Sequence, residues 1–74
     1  MYFEKRDPLR NLARFYSLQI HPTLFGEWDV LRCWGRIGGK GRVLCNHHPD
    51  QAGAEKTVAT LARRRLRHGY CRRT

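Results

Sequence analysis

The chain has 74 residues and a formal charge of +9, from 15 Lys and Arg against six Asp and Glu. That length limits it to one domain with one small core and excludes a multidomain protein or a large active-site cleft. Hydrophobic residues at 41% and aromatics at 11% suit a folded domain, and no apolar run approaches the roughly 18–20 residues of a membrane span. The opening Met1-Tyr2-Phe3-Glu4-Lys5-Arg6 has no signal-peptide core, so a cytoplasmic location is expected.

Residues 1–12 mix charge with Pro8 and sustain no period, so they read as an N-terminal arm with room for a short turn or strand. Arg14 to Ile20 alternates, with Tyr16, Leu18 and Ile20 on one side, the pattern of a half-buried strand. Pro22 and Gly26 mark a loop. Trp28 to Ile37 predicts a second strand with two faces. Asp29, Leu31, Cys33, Gly35 and Ile37 point one way; Trp28, Val30, Arg32, Trp34 and Arg36 point the other. Arginines resist burial without a partner. The face with Arg32 and Arg36 is therefore assigned to solvent, with Leu31, Cys33 and Ile37 facing the core. Gly35 would let something pack closely.

Gly38-Gly39-Lys40-Gly41 predicts a tight hairpin. It lacks the spacing of a nucleotide-binding glycine loop. A third strand follows over Arg42 to His47, with Val43 and Cys45 as its core pair. Asp50 is a suitable N-cap for a helix that Gly69 would stop. Ala54, Val58, Leu61, Ala62 and Leu66 form its apolar stripe. Strands followed by one helix predict an α+β fold. The expected form is a small antiparallel sheet of three to four strands, with the C-terminal helix on one face and the other face wet.

Cys33, Cys45 and Cys71 are odd in number and lack a C-x-x-C pair, so reduced thiols are expected. A metal cluster built on Cys33, Cys45, His47 and His48 lacks the paired spacing of zinc sites, so neither metal nor cofactor is expected. Cys45 and His47 share a strand face and so admit a thiol–imidazole pair. No third group or oxyanion element accompanies them, the acids are scattered, and catalysis is not expected.

The basic residues fall in two zones. Six of the 15 lie in the last 12 positions, Arg63, Arg64, Arg65, Arg67, Arg72 and Arg73, and Arg32, Arg36, Lys40 and Arg42 surround the hairpin. Such a charge distribution favours a polyanion partner, and guanidinium forks suit phosphate oxygens. The helix lacks the bulky apolar face of a membrane-binding helix. An exposed Trp34 flanked by Arg32 and Arg36 would stack on a base or sugar while the arginines hold phosphates. Edge strands of so small a sheet also invite pairing, so the expected state is a monomer or weak homodimer.

The run Trp28-Asp29-Val30-Leu31-Arg32-Cys33-Trp34-Gly35-Arg36-Ile37-Gly38, with Gly41 beyond it, resembles the signature of the WGR domain, a module best known from the poly(ADP-ribose) polymerases. Phe15 to Ile20 is similar to that family's first strand, Ala54, Val58 and Leu61 to its helix, and Gly69-Tyr70 to its helix exit. The likeness covers residues 13–70, leaving 1–12 as an arm and 71–74 as a basic tail. It implies an antiparallel sheet with one helix and a nucleic-acid partner, DNA more than RNA, contacted near strand ends. Carried over, Trp34 would pack on a terminal sugar or base and Arg36 would reach a phosphate or a partner surface. Arg32, Lys40, Arg42, Arg63, Arg64 and Arg67 complete the expected contact set. The alternative is a protein-interaction module that regulates a separate partner.

Overall fold

Alternating apolar residues in four successive segments build a meander, and one helix returns the chain across it. The computed structural model describes all 74 residues. Its strands are β1 (Tyr2–Asp7), β2 (Leu12–Pro22), β3 (Trp28–Arg36), β4 (Arg42–His48) and β5 (Cys71–Arg72). They form one antiparallel sheet in the order β4-β3-β2-β1-β5. Helix α1 (Gln51–Arg67) joins β4 at one edge to β5 at the other. The α+β class with one C-terminal helix on the sheet is as expected, with five strands in place of three to four.

The additional strands are the chain's two ends. Residues expected as an arm form β1, which lies between β2 and β5 with Phe3 fully buried. Cys71 and Arg72 of the expected tail pair with Glu4 and Phe3. Charge conceals the alternation of β1: Phe3 and Lys5 face the helix side, while Tyr2, Glu4 and Arg6 face away, as their pairing with β2 requires.

The helix lies on the face opposite to the one expected. Cross-strand pairing puts Tyr16 opposite Trp34, Leu18 opposite Arg32 and Ile20 opposite Val30. All share the face that carries the core of Phe3, Tyr16, Leu18, Val30, Ala54, Val58 and Leu61. Ile20, Trp28, Trp34, Ala62 and Tyr70 pack around it. Trp28, Val30 and Trp34 therefore form the inner side of β3, and Leu31, Cys33 and Ile37 do not belong to the core. Likewise Val43 and Cys45 are exposed on the outer side of β4. The two arginines misdirect the parity argument because a guanidinium stem can lie along apolar surface while its head reaches water. Leu66 is also corrected: it is exposed, and Arg65 follows Ala54, Val58 and Leu61 on the inner stripe.

Local chemistry fixes both ends of α1. The Asp50 carboxylate accepts the Gly53 N–H at 2.7 Å, satisfying a free first-turn donor. At the other end Gly69 takes φ +88°. Its N–H donates to Leu66 O at 3.2 Å, and Tyr70 N–H donates to Arg65 O at 3.1 Å. These two bonds form a Schellman closure, and they bring Tyr70 back beside Arg65.

Gly35 and Gly41 govern the β3–β4 hairpin. A Cβ on Gly35 would lie 2.6 Å from Gly41 Cα, and one on Gly41, at φ +76°, would lie 2.5 Å from Trp34 O. The Phe15 ring covers both glycines from the outer face. The expected close approach at Gly35 is thus made by its own hairpin.

Candidate nucleic-acid interface

Strand periodicity sends Trp34 and Arg36 to the inner face, at the end of the sheet where α1 terminates. Trp34 is half-buried, not laid out on the open face. Its ring stacks on Tyr16 with centroids 6.4 Å apart and planes at 28°, and Tyr70 meets Tyr16 edge-on at 6.4 Å. Arg65 lies over these rings, its guanidinium carbon 4.6 Å from the Tyr16 centroid and 5.7 Å from that of Tyr70. Cation–π contact supports such placements.

Two clefts open beside this cluster. The larger, about 470 Å³, is lined by Arg10, Asn11, Leu12, Ala13, Arg14, Trp34, Gly35, Arg36, Arg65 and Tyr70. The smaller, about 190 Å³, is lined by Tyr16, Arg32, Trp34 and Arg65. Trp34 and Arg65 belong to both, and no acidic side chain lines either.

Four of the five arginines there lack counterions. Arg14 and Arg36 are directly opposite on β2 and β3, an unfavourable arrangement for like charges. Nε of Arg32 and Nε of Arg65 are both buried without a hydrogen-bond partner, which is costly for a polar atom unless a ligand completes it. Arg10 alone among the lining arginines has a carboxylate within 4.0 Å, that of Asp7 at 3.6 Å. Arg36 is aimed by Asn11: its Nη1 donates to Asn11 O at 3.2 Å and its Nη2 to Asn11 Oδ1 at 3.3 Å. Asn11 adopts φ +52°, a left-handed conformation that asparagine tolerates.

Of the eight expected contact residues, the structure brings together Trp34, Arg36 and Arg32. Arg42 is opposite Trp34 on the edge strand and exposed, and Lys40 lies in the hairpin loop. Arg63, Arg64 and Arg67 are exposed on α1 and line neither cleft. Arg64 instead borders a shallow groove with Lys56, Thr57, Thr60 and Leu61. Sequence reasoning left Arg65, Arg14, Tyr16 and Tyr70 out of the contact set. The spacing Ala54, Val58, Leu61, Arg65 was the available signal for Arg65.

The outer face holds a different cluster. Asp29, Cys45 and His47 bring their ligand atoms within 4.8 Å of one another, and His47 Nδ1 hydrogen-bonds Asp29 Oδ1. The Cys45 pKa is raised, by desolvation at the sheet surface and then by the charge and hydrogen bond of Asp29. With the carboxylate acting on both groups, the thiol is kept neutral instead of activated by the imidazole. Cys33 and His48 stand apart from this group, Cys33 Sγ facing Lys40 O at 3.9 Å and His48 lying beside Gly53.

No helix is long and apolar enough to cross a membrane. A family model described as WGR domain matches residues 1–74. An uncharacterized protein, y4dW, of Sinorhizobium fredii (strain NBRC 101917 / NGR234) is 41% identical over 70 residues. The match covers 95% of this chain and 34% of that protein, so the chain spans about a third of its relative's length. No solved structure matches the chain.

Proposed function

The chain belongs to the WGR domain family, and from that premise we propose that it is a non-enzymatic nucleic-acid-binding module. Its partner is DNA in preference to RNA, engaged at strand ends or breaks. The observation that carries this reading is the pair of acid-free clefts on either side of Trp34. Phosphates would replace the missing counterions of Arg14, Arg32, Arg36 and Arg65, and a terminal sugar or base would meet the free edge of the indole. Lys40 and Arg42 extend the positive surface along the hairpin. Arg63, Arg64 and Arg67 extend it along the helix and contribute through long-range attraction.

The chemistry is positioning without base readout. Asn11 fixes the Arg36 fork, the Schellman closure fixes Tyr70 beside Arg65, and the Tyr16 ring supports both Trp34 and Arg65. Aromatic stacking contributes on the order of 1–3 kcal/mol per base, and each phosphate engaged adds about −0.9 to the slope of log K against log salt for duplex DNA.

The test is a tryptophan-fluorescence titration with blunt-ended, nicked and covalently closed duplexes and with single strands, at low and high salt. A salt-sensitive response that is strongest for ends or nicks supports the proposal, and equal binding to closed circles removes the preference for ends. No response at low salt would instead favour the protein-interaction reading, in which Trp34 and Arg36 anchor a partner protein.

A further inference from the structure

On the outer face of the sheet, at the end remote from Trp34, the pairing of β3 and β4 puts Asp29 directly opposite His47. Cys45 is two residues along β4 from His47 and so points to the same side. We propose that Asp29, Cys45 and His47 form a zinc site with three protein ligands and water in the fourth position.

Three observations carry it. The carboxylate oxygen, thiol sulfur and imidazole nitrogen lie within 4.8 Å of one another. Tetrahedral bonds of about 2.0–2.3 Å put ligand atoms roughly 3.3–3.8 Å apart, so the hydrogen-bonded Asp29 and His47 atoms would separate by about 1 Å and the widest pair would draw together by up to about 1 Å, movements side chains can make without shifting the strands. His47, with its side chain 71% exposed, is free to reorient. The backbone is already ordered by the β3–β4 ladder, so only the three side chains have to adjust around a cation. Finally, the donor set is selective. Thiolate with imidazole excludes magnesium and calcium, which require oxygen donors, and suits zinc or its cobalt surrogate.

Coordination replaces the His47–Asp29 hydrogen bond. Cys45 releases its proton to solvent and binds as thiolate, neutral His47 supplies a nitrogen lone pair, and Asp29 supplies a carboxylate oxygen. A divalent ion against one thiolate and one carboxylate leaves the site neutral. His21 is opposite Asp29 on β2, but its Nε2 is bonded to Gln19 Oε1 at 3.0 Å and does not complete the set. Neither Cys33 nor His48 takes part, so this site differs from the cluster considered on the sequence.

The experiment is a cobalt(II) titration of the full 74-residue chain, reduced with a non-chelating phosphine and followed by absorption. The expected result is saturation at one equivalent, with tetrahedral d–d bands and a thiolate-to-metal charge-transfer band, all abolished by one equivalent of zinc. Cys45→Ser should lose the charge-transfer band, and Asp29→Asn and His47→Ala should each weaken binding at least ten-fold. Cys33→Ser and Cys71→Ser should leave the spectrum unchanged. Cys45 and His47 are exposed and Asp29 is half-buried, so circular dichroism of the metal-free variants should match the parent. Absence of a saturable spectrum overturns the proposal, as does a charge-transfer band that survives Cys45→Ser. Saturation at half an equivalent, a metal shared between two copies, also overturns it.

Discussion

The two faces of the sheet treat charge in opposite ways. On the outer face each carboxylate serves several neighbours. Glu4 accepts from the Tyr2 hydroxyl at 3.0 Å and pairs with Arg6 at 3.4 Å and Arg73 at 3.7 Å. Asp29 contacts His47 and affects Cys45. On the inner face, around the C-terminal end of the helix, Arg14, Arg32, Arg36 and Arg65 have no carboxylate within 4.0 Å. Net charge alone therefore says little about where a polyanion would bind. What locates the candidate interface is positive charge that the fold leaves uncompensated beside aromatic surface.

Five substitutions or measurements break or sharpen that contrast. The largest effect should come from Gly35→Val, which damages both faces together. Its side chain would collide with the Gly41 backbone, and we expect a loss of about 2–4 kcal/mol in urea unfolding. Trp34→Ala should act on the inner face alone. It is expected to weaken oligonucleotide binding by roughly 5- to 150-fold, the equivalent of 1–3 kcal/mol of stacking. Because the ring packs on Tyr16, it should also lower stability by about 2 kcal/mol. Trp34→Phe should recover most of the stability and part of the affinity.

Arg65→Gln should lower affinity about ten-fold and reduce the salt slope by about one unit, with stability changed by less than about 1 kcal/mol. Glu4→Gln is its counterpart on the outer face. It should lower stability by about 0.5–1 kcal/mol through loss of the exposed ion pairs, with Trp34-dependent binding unaffected. The smallest effect concerns Cys45. Its pKa lies above the ordinary value of 9.0, so alkylation near that pH should be slower at Cys45 than in a short unstructured cysteine peptide. Asp29→Asn should speed it. The sign for stability follows: whatever the neutral thiol contributes is present below the ordinary thiol pKa and is lost as pH rises through the raised one.

Much of this architecture is readable from residue order. The alternation of Tyr16, Leu18 and Ile20, the glycine hairpin, the Asp50 cap and the Gly69 stop each act over a few neighbours, so their effect does not depend on distant contacts. Which face of β3 is buried is not a local property. Val30 and the two tryptophans had to be weighed against Arg32 and Arg36, and the balance depends on where α1 lands. β1 was legible only as room for a short strand within an arm, because its outward Glu4 and Arg6 pair with each other and Arg73 reaches Glu4 only through the fold. β5 is two residues long, too short for any periodicity. Within the candidate site, Trp34 and Arg36 were legible from the tripeptide, whereas Arg14 and Arg65 enter through cross-strand pairing and helix docking.

The hydrogen bonds between Tyr2 and the segment Arg73–Thr74 bear on how the domain is made. During synthesis the first strand emerges some seventy residues before the partner that flanks it, and Phe3 lacks its full cover until α1 and β5 have left the ribosome. A permuted gene that joins residue 74 to residue 1 and opens at the exposed Leu24–Phe25 loop would turn this distant pairing into a hairpin. Such a chain should reach the same sheet faster.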